Sequence, residues 1–192
     1  MDARRRTRPG QCRPASLNDD ETPSALRPGT ITKVAPTQRD PERVSIYIDG
    51  VFALALPAIE AQQRDLRPNR VLDEDAVQEL EQLAEVDRAT NAALQFVAYR
   101  PRAEREVRDR LRRRAFGPAA IEAAIAKLRG WRYLDDRAFA ELWVENRAEH
   151  HPRGRRALQA ELSAKGIDRE IAGEVLEGAD LRAAGVGLRE EC

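Results

Sequence analysis

Apolar residues recur along this chain with two different periods. Val44-Ser45-Ile46-Tyr47-Ile48 alternates with period two, and after Asp49-Gly50 the run Val51-Phe52-Ala53-Leu54-Ala55-Leu56 follows. Asp-Gly between two such runs signals a hairpin, because a type I′ turn needs positive φ at both central residues. The β-branched stretch Thr30-Ile31-Thr32-Lys33-Val34 supplies a further strand, joined through a loop at Arg39, Asp40, Pro41 and Glu42. These spacings predict a three-stranded antiparallel sheet, which must pack on a helix to be stable.

From there the period becomes helical. A short helix is expected over Ala58 to Asp65, then a turn at Arg67-Pro68-Asn69. Asp73 is placed to cap a helix with Val77, Leu80, Leu83 and Ala84 on its apolar face. A bend is expected near Asp87, after which Ala92, Ala93, Phe96, Val97 and Tyr99 continue the pattern. Ala103, Val107 and Leu111 then mark one face of a helix, with Arg105, Arg108 and Arg112 on the other. Ala115-Phe116-Gly117 ends it, and Pro118 suits the first turn of the next. That helix buries Ile121, Ala124, Ile125 and Leu128 and stops at Gly130. Asp135 is the expected cap of another, whose inner face reads Phe139, Leu142, Trp143 and Asn146.

The helical part repeats. Val107 and Leu111 correspond to Leu158 and Leu162, Phe116 to Ile167, and Ile125 to Leu176, all at an offset of 51. Arg100 corresponds to Arg147 at 47, across a longer loop at His150-His151-Pro152-Arg153. Units with so little core of their own should pack on each other. The expected organisation is a basic disordered tail at 1–28, a β-hairpin module with a short helix at 29–70, and an acidic linking helix at 71–87. Three-helix repeats follow at 88–130 and 131–178, and 179–192 is a tail without a third repeat, where Leu181, Val186 and Leu188 are thinly spaced.

Charge sharpens the picture. The 192 residues carry 33 basic and 33 acidic side chains, so the net charge is zero, yet the charge is segregated. Asp73 to Asp87 is acidic and roughly 100–156 is basic, so a local field can still attract an anionic partner. With 34% charged and 5% aromatic residues, the fold should be elongated rather than thick. Cys12 and Cys192 lie at opposite ends and suit a reducing cytoplasm rather than a disulfide. Neither a membrane span nor a secretory signal is expected.

Catalytic chemistry is hard to find. Asp135-Asp136 sits at a helix start, where Asp is expected as a cap. His150-His151 lacks the converging ligands a metal needs. Glycine-rich phosphate loops, nucleophile elbows and zinc signatures are absent from the sequence. Trp131, Tyr133, Phe139 and Trp143 could stack on bases, but their spacing reads as core. The expectation is a binding protein without catalytic residues, cofactor, metal or small-molecule substrate.

The arginines are the candidate site. Within the first repeat these are Arg100, Arg102, Arg105, Arg108, Arg112 and Arg113; within the second, Arg147, Arg153, Arg155 and Arg156. Asp109 and Glu104 can neutralise part of the first row through i, i+3 and i, i+4 pairs. Arginines at the start of the second-repeat helix oppose its macrodipole, which points to a reason other than stability.

Several motifs in this region resemble the RecX family of RecA regulators. They are Arg100-Pro101-Arg102-Ala103, Glu106-Val107-Arg108 with Leu111, Ala115-Phe116, and Tyr133-Leu134-Asp135-Asp136 followed by Phe139-Ala140 and Trp143. Asn146-Arg147, Gly154, Leu158, Glu161-Leu162 and Lys165-Gly166-Ile167 extend the likeness over roughly 90–177. The resemblance implies a mainly α fold of tandem three-helix repeats, here preceded by the small antiparallel β segment. It further implies a protein that lies in the groove of the RecA–DNA filament and restrains its recombinase and ATPase activities. Direct binding of single- or double-stranded DNA by the helical repeats, without RecA, is the alternative.

Overall fold

A computed structural model describes residues 26–38 and 40–187, with side chains described as far as 181. The tail expected before Leu26, the loop residue Arg39 and residues 188–192 lie outside the described residues.

The β module is a four-stranded antiparallel sheet: β1 (Gly29–Pro36), β2 (Arg43–Ile48), β3 (Val51–Pro57) and β4 (Val71–Leu72), in the order β3-β2-β1-β4. The β2–β3 turn is the one the sequence predicts, with Asp49 at φ 49° and Gly50 at φ 83°. The fourth strand adds to the expected three. It is two residues long and pairs Gly29 with Leu72 and Thr30 with Val71. Helix α1 (Ala58–Gln63) is shorter than expected, and Asn69 takes a left-handed conformation in the turn that returns the chain to β1.

Helix α2 (Glu74–Tyr99) begins where Asp73 accepts the Ala76 N–H at 2.9 Å. It runs through Asp87 without the expected bend. No Gly or Pro interrupts it, and Asp87 is held by the Arg43 guanidinium at 2.6 Å, which ties the helix to β2. A single helix therefore serves two cores. Val77, Leu80 and Ala84 close the sheet's inner face with Ile31, Ile46, Leu54 and Leu56. Ala89, Ala92 and Ala93 pack with Val107 and Leu111 of α3 (Glu104–Arg113) and with Ile121, Ile125 and Leu128 of α4 (Pro118–Gly130). Leu26, assigned to the tail by sequence, packs at the edge of the first core and donates its N–H to Glu81 at 2.9 Å.

The second repeat comprises α5 (Asp136–His150), α6 (Arg155–Lys165) and α7 (Arg169–Gly187) around Phe139, Val144, Leu158, Leu162 and Leu176. On α5 the inner face is Phe139, Ala140 and Val144, with Trp143 half-buried. Leu142 and Asn146, expected inside, are exposed. Trp131 and Tyr133, read as core by spacing, are exposed as well. Their connector turns at Arg132, φ 60°, which carries both rings away from Leu134 in the core.

Candidate partner-binding surface

The two repeats meet at the start of α3. Ala103 is fully buried in the second repeat's core, although its own helix belongs to the first. An alanine at the N-cap position has no side-chain acceptor to offer, so the end of α3 is satisfied from elsewhere. Glu106 accepts the Ala103 N–H at 3.3 Å, and Asp136 accepts the Glu104 N–H at 2.9 Å. Asp135 meanwhile caps α5 itself, accepting from Ala138 at 3.0 Å. Both carboxylates of the Asp-Asp pair are thus caps, one for its own helix and one for a helix in the other repeat. Burial pushes the Asp136 carboxyl above its ordinary value.

Glu106 also holds Lys165, at 3.0 Å, and Arg100, at 3.3 Å. Burial alone would raise its carboxyl pKa, but the Lys165 ammonium, the Arg100 charge and the Ala103 N–H outweigh that and hold it below the ordinary range. The Lys165 ammonium in turn lies 5.0 Å from the centre of the Trp143 ring, with the Arg147 guanidinium 4.7 Å from the same ring. Glu161 accepts from Trp143 Nε1 at 2.9 Å and from Arg147 at 2.8 Å. Across the joint, Gly166 turns with φ 88° and leaves no room for a Cβ, which would run into the stem of Arg105.

These contacts divide the ten candidate arginines. Arg108 is mostly buried and is held by Glu104 at 2.8 Å and by Glu122. Burial works against its charge, but the hydrogen bonds to Glu104 and Glu122 raise its pKa overall. Arg102 lies over the Phe96 ring at 4.0 Å, with its Nε buried and unpaired. Burial and the neighbouring Arg100 lower its pKa. Arg100 and Arg147 belong to the joint just described. Arg155 reaches Asp180 at 2.6 Å and Glu177 at 3.5 Å on α7.

The rest face solvent. Arg105 and Arg112 are 60% and 63% exposed and share Asp109, at 4.0 and 3.3 Å. Arg113, Arg153 and Arg156 are exposed and form no ion pair among the described residues. The expected row of Arg105, Arg108 and Arg112 is therefore not a uniform free surface, since its middle member is committed to α4. Sequence spacing could not reveal this, because Glu122 lies on another helix.

Two family models fall on this architecture. RecX, first three-helix domain, matches residues 89–128, and RecX, second three-helix domain, matches residues 135–176. The chain belongs to the RecX family. It is 35% identical to "Regulatory protein RecX" of Bacillus velezensis over 76% of this chain and 56% of that protein. A likeness of 33% to "Regulatory protein RecX" of Listeria monocytogenes covers 77% of this chain and 55% of that one. The chain spans about half the length of the curated relatives it matches. A crystal structure of regulatory protein RecX shares the fold, with a TM-score of 0.69 over 78% of this chain and 73% of that one at 24% identity. The RecX domains correspond to α3–α4 with the C-terminal half of α2, and to α5–α7 as far as Leu176, so the joint at Ala103 lies between two matched domains. Among the described residues no helix is long and apolar enough to cross a membrane.

Proposed function

We propose that this RecX-family chain regulates the RecA recombinase by binding the RecA–DNA filament and restraining its recombinase and ATPase activities, in the cytoplasm and without catalysis of its own. Family membership and the regulatory name of the relatives support a regulatory role. The observation that carries the choice of surface is the start of α6. Gly154 provides no side-chain cap, the first turn holds no acid, and Arg153, Arg155 and Arg156 crowd the positive end of the helix. Among the described residues Arg155 pairs with Asp180 and Glu177 of α7, whereas Arg153 and Arg156 form no ion pair, although the Arg153 charge helps to lower the Glu161 carboxyl. Cations left there cost stability unless an anionic group meets them. Arg153 and Arg156, with Arg105, Arg112 and Arg113 on the first repeat, are the partner-binding set. Arg100, Arg102, Arg108, Arg147 and Arg155 hold the scaffold that presents it.

Free guanidinium groups also favour a second reading, direct binding of DNA phosphates without RecA. Titrating the protein into RecA–single-stranded DNA filaments separates the two. The regulatory reading expects loss of RecA ATPase at protein levels far below the number of DNA sites. The DNA reading expects inhibition only as DNA is covered, with affinity falling steeply with salt.

A further inference from the structure

The core residues of α1 and α2 pack on one face of the sheet, and the outer face meets α2 through the Arg43–Asp87 ion pair. Cross-strand partners share a face. The pairs Ile31–Ile48, Val34–Ile46 and Ile46–Leu54 contribute Ile31, Ile46, Ile48 and Leu54 to the core. The pairs Lys33–Tyr47 and Tyr47–Phe52 then form a row across three strands on the opposite face. Bulges at Ile31/Lys33 and Ile46/Tyr47 set this register. Thr32, inside the first bulge, pins it: its hydroxyl accepts the Gly50 N–H at 3.0 Å and donates to the Tyr47 carbonyl at 3.2 Å.

Within the row the Lys33 ammonium lies 5.4 Å from the Tyr47 ring centre, and the Tyr47 and Phe52 rings stand 5.8 Å apart at 75°. Phe52 is 44% exposed and Lys33 is exposed. The next row, Ala35–Ser45–Ala55, is small, so the rings rise from a low floor. Arg43, in the row beyond, is spent on Asp87 and the Ala55 carbonyl. None of the outward residues is acidic, and Lys33 forms no ion pair among the described residues.

We propose that this outer face is a platform for single-stranded nucleic acid, on which a base stacks against Phe52 beside Tyr47 and a backbone phosphate meets Lys33. An exposed ring beside a cation that forms no ion pair among the described residues, in a cross-strand row without acidic side chains, matches a planar base joined to an anion. A protein partner would favour a recessed pocket for its anchoring side chains, and this face has small residues where the walls of one would stand. Bases in a duplex are stacked on each other and cannot present a face to Phe52. The site is on a different module from the arginines and does not depend on the RecA reading.

The test uses the full chain and a fluorescein-labelled fifteen-nucleotide oligo-dT, read by fluorescence anisotropy at fixed salt, with a duplex of equal length alongside. Phe52→Ala should weaken oligo-dT binding roughly fivefold or more, as expected for loss of one base–aromatic stack. Phe52→Trp should restore it, and duplex binding should not respond to either change. Lys33→Glu should weaken binding and lower the slope of log affinity against log salt by roughly 0.7, the share of one phosphate on a single strand. Circular dichroism checks that each variant is folded; if Phe52→Ala is not, Lys33→Glu decides. Wild-type affinity in Phe52→Ala or Lys33→Glu, failure of Phe52→Trp to restore binding, an equal loss on duplex, or no oligo-dT binding by the wild type would each overturn the proposal.

Discussion

The two three-helix repeats use the same backbone with different residues. Ala103 and Gly154 occupy matching N-cap positions, with φ/ψ of −68°/148° and −66°/154°. Ala115 and Gly166 match at the other end, both left-handed, at φ 61° and 88°. What differs is the charge placed at the start of the middle helix. Helix α3 opens on Glu104 and Glu106 and is capped from across the joint by Asp136. Helix α6 opens on Arg155 and Arg156 with no side-chain cap. The first arrangement complements the helix dipole and is half-buried; the second opposes it and is exposed. One end is therefore an internal joint, and the other is the end we propose meets a partner.

If the repeats are equivalent in packing, truncating matched core residues should cost alike. Leu111→Ala and Leu162→Ala, both fully buried in the wild type, should each lose about 2–5 kcal/mol in denaturant unfolding. A large effect at one site and none at the other would break the equivalence.

The joint can be probed through its two caps. Asp136→Ala leaves the Glu104 N–H without its acceptor and should cost about 1–3 kcal/mol. Asp135→Ala removes only an exposed cap on α5 and should cost about 1 kcal/mol. Asp136→Asn, which keeps an acceptor oxygen, should recover most of the loss. Equal costs for Asp136→Ala and Asp135→Ala would mean that the joint adds nothing beyond ordinary capping.

The matched left-handed residues sharpen the contrast further. Gly166→Ala should destabilise by about 1–2 kcal/mol from conformation alone, and by more if the Arg105 stem cannot move aside. Ala115→Gly should instead stabilise by up to about 1 kcal/mol, since glycine relieves that conformation at some cost in chain entropy. Thermal melts of the two variants should move in opposite directions.

The smallest effect is on pH. The Glu106 carboxyl is held below its ordinary value of 4.5 in the fold. Its contribution is therefore fully present above that value and is lost as the pH falls through the lowered folded value. Stability measured between pH 6 and pH 3 should fall less for Glu106→Gln than for the wild type, because the variant has nothing to protonate at this position. Identical pH profiles would remove Glu106 from the joint.

Local signals in the sequence were enough for much of this. The Asp49-Gly50 hairpin, the Asp73 and Asp135 caps, Pro118 at the start of α4 and the buried Val107, Leu111, Ile121 and Ile125 all follow from neighbours within a turn or two. Features set by distant contacts could not be read in the same way. Strand β4 is too short to show a period and exists because Gly29 and Thr30 pair with it. The sequence predicts a bend near Asp87, but Arg43, far away in sequence, anchors that point of a continuous helix. On α5 the apolar Leu142 lies on the wrong side of the stripe, and only the packing of α7 shows that Val144 is the buried one. Among the arginines, sequence spacing gave the row but not the division between Arg108, held by two helices, and Arg156, held by none of the described carboxylates.

The central claim is that the open end of α6 meets the RecA filament while the α3 joint only supports it. The direct test is co-sedimentation with RecA–single-stranded DNA filaments, alongside RecA ATPase inhibition, for Arg153→Glu/Arg156→Glu. The variant should be at least as stable as the wild type, because both reversals place acids at the positive end of α6. Its binding should weaken well over tenfold, because each reversal replaces a charge-assisted contact with repulsion. Wild-type binding and inhibition by this folded double variant would contradict the account.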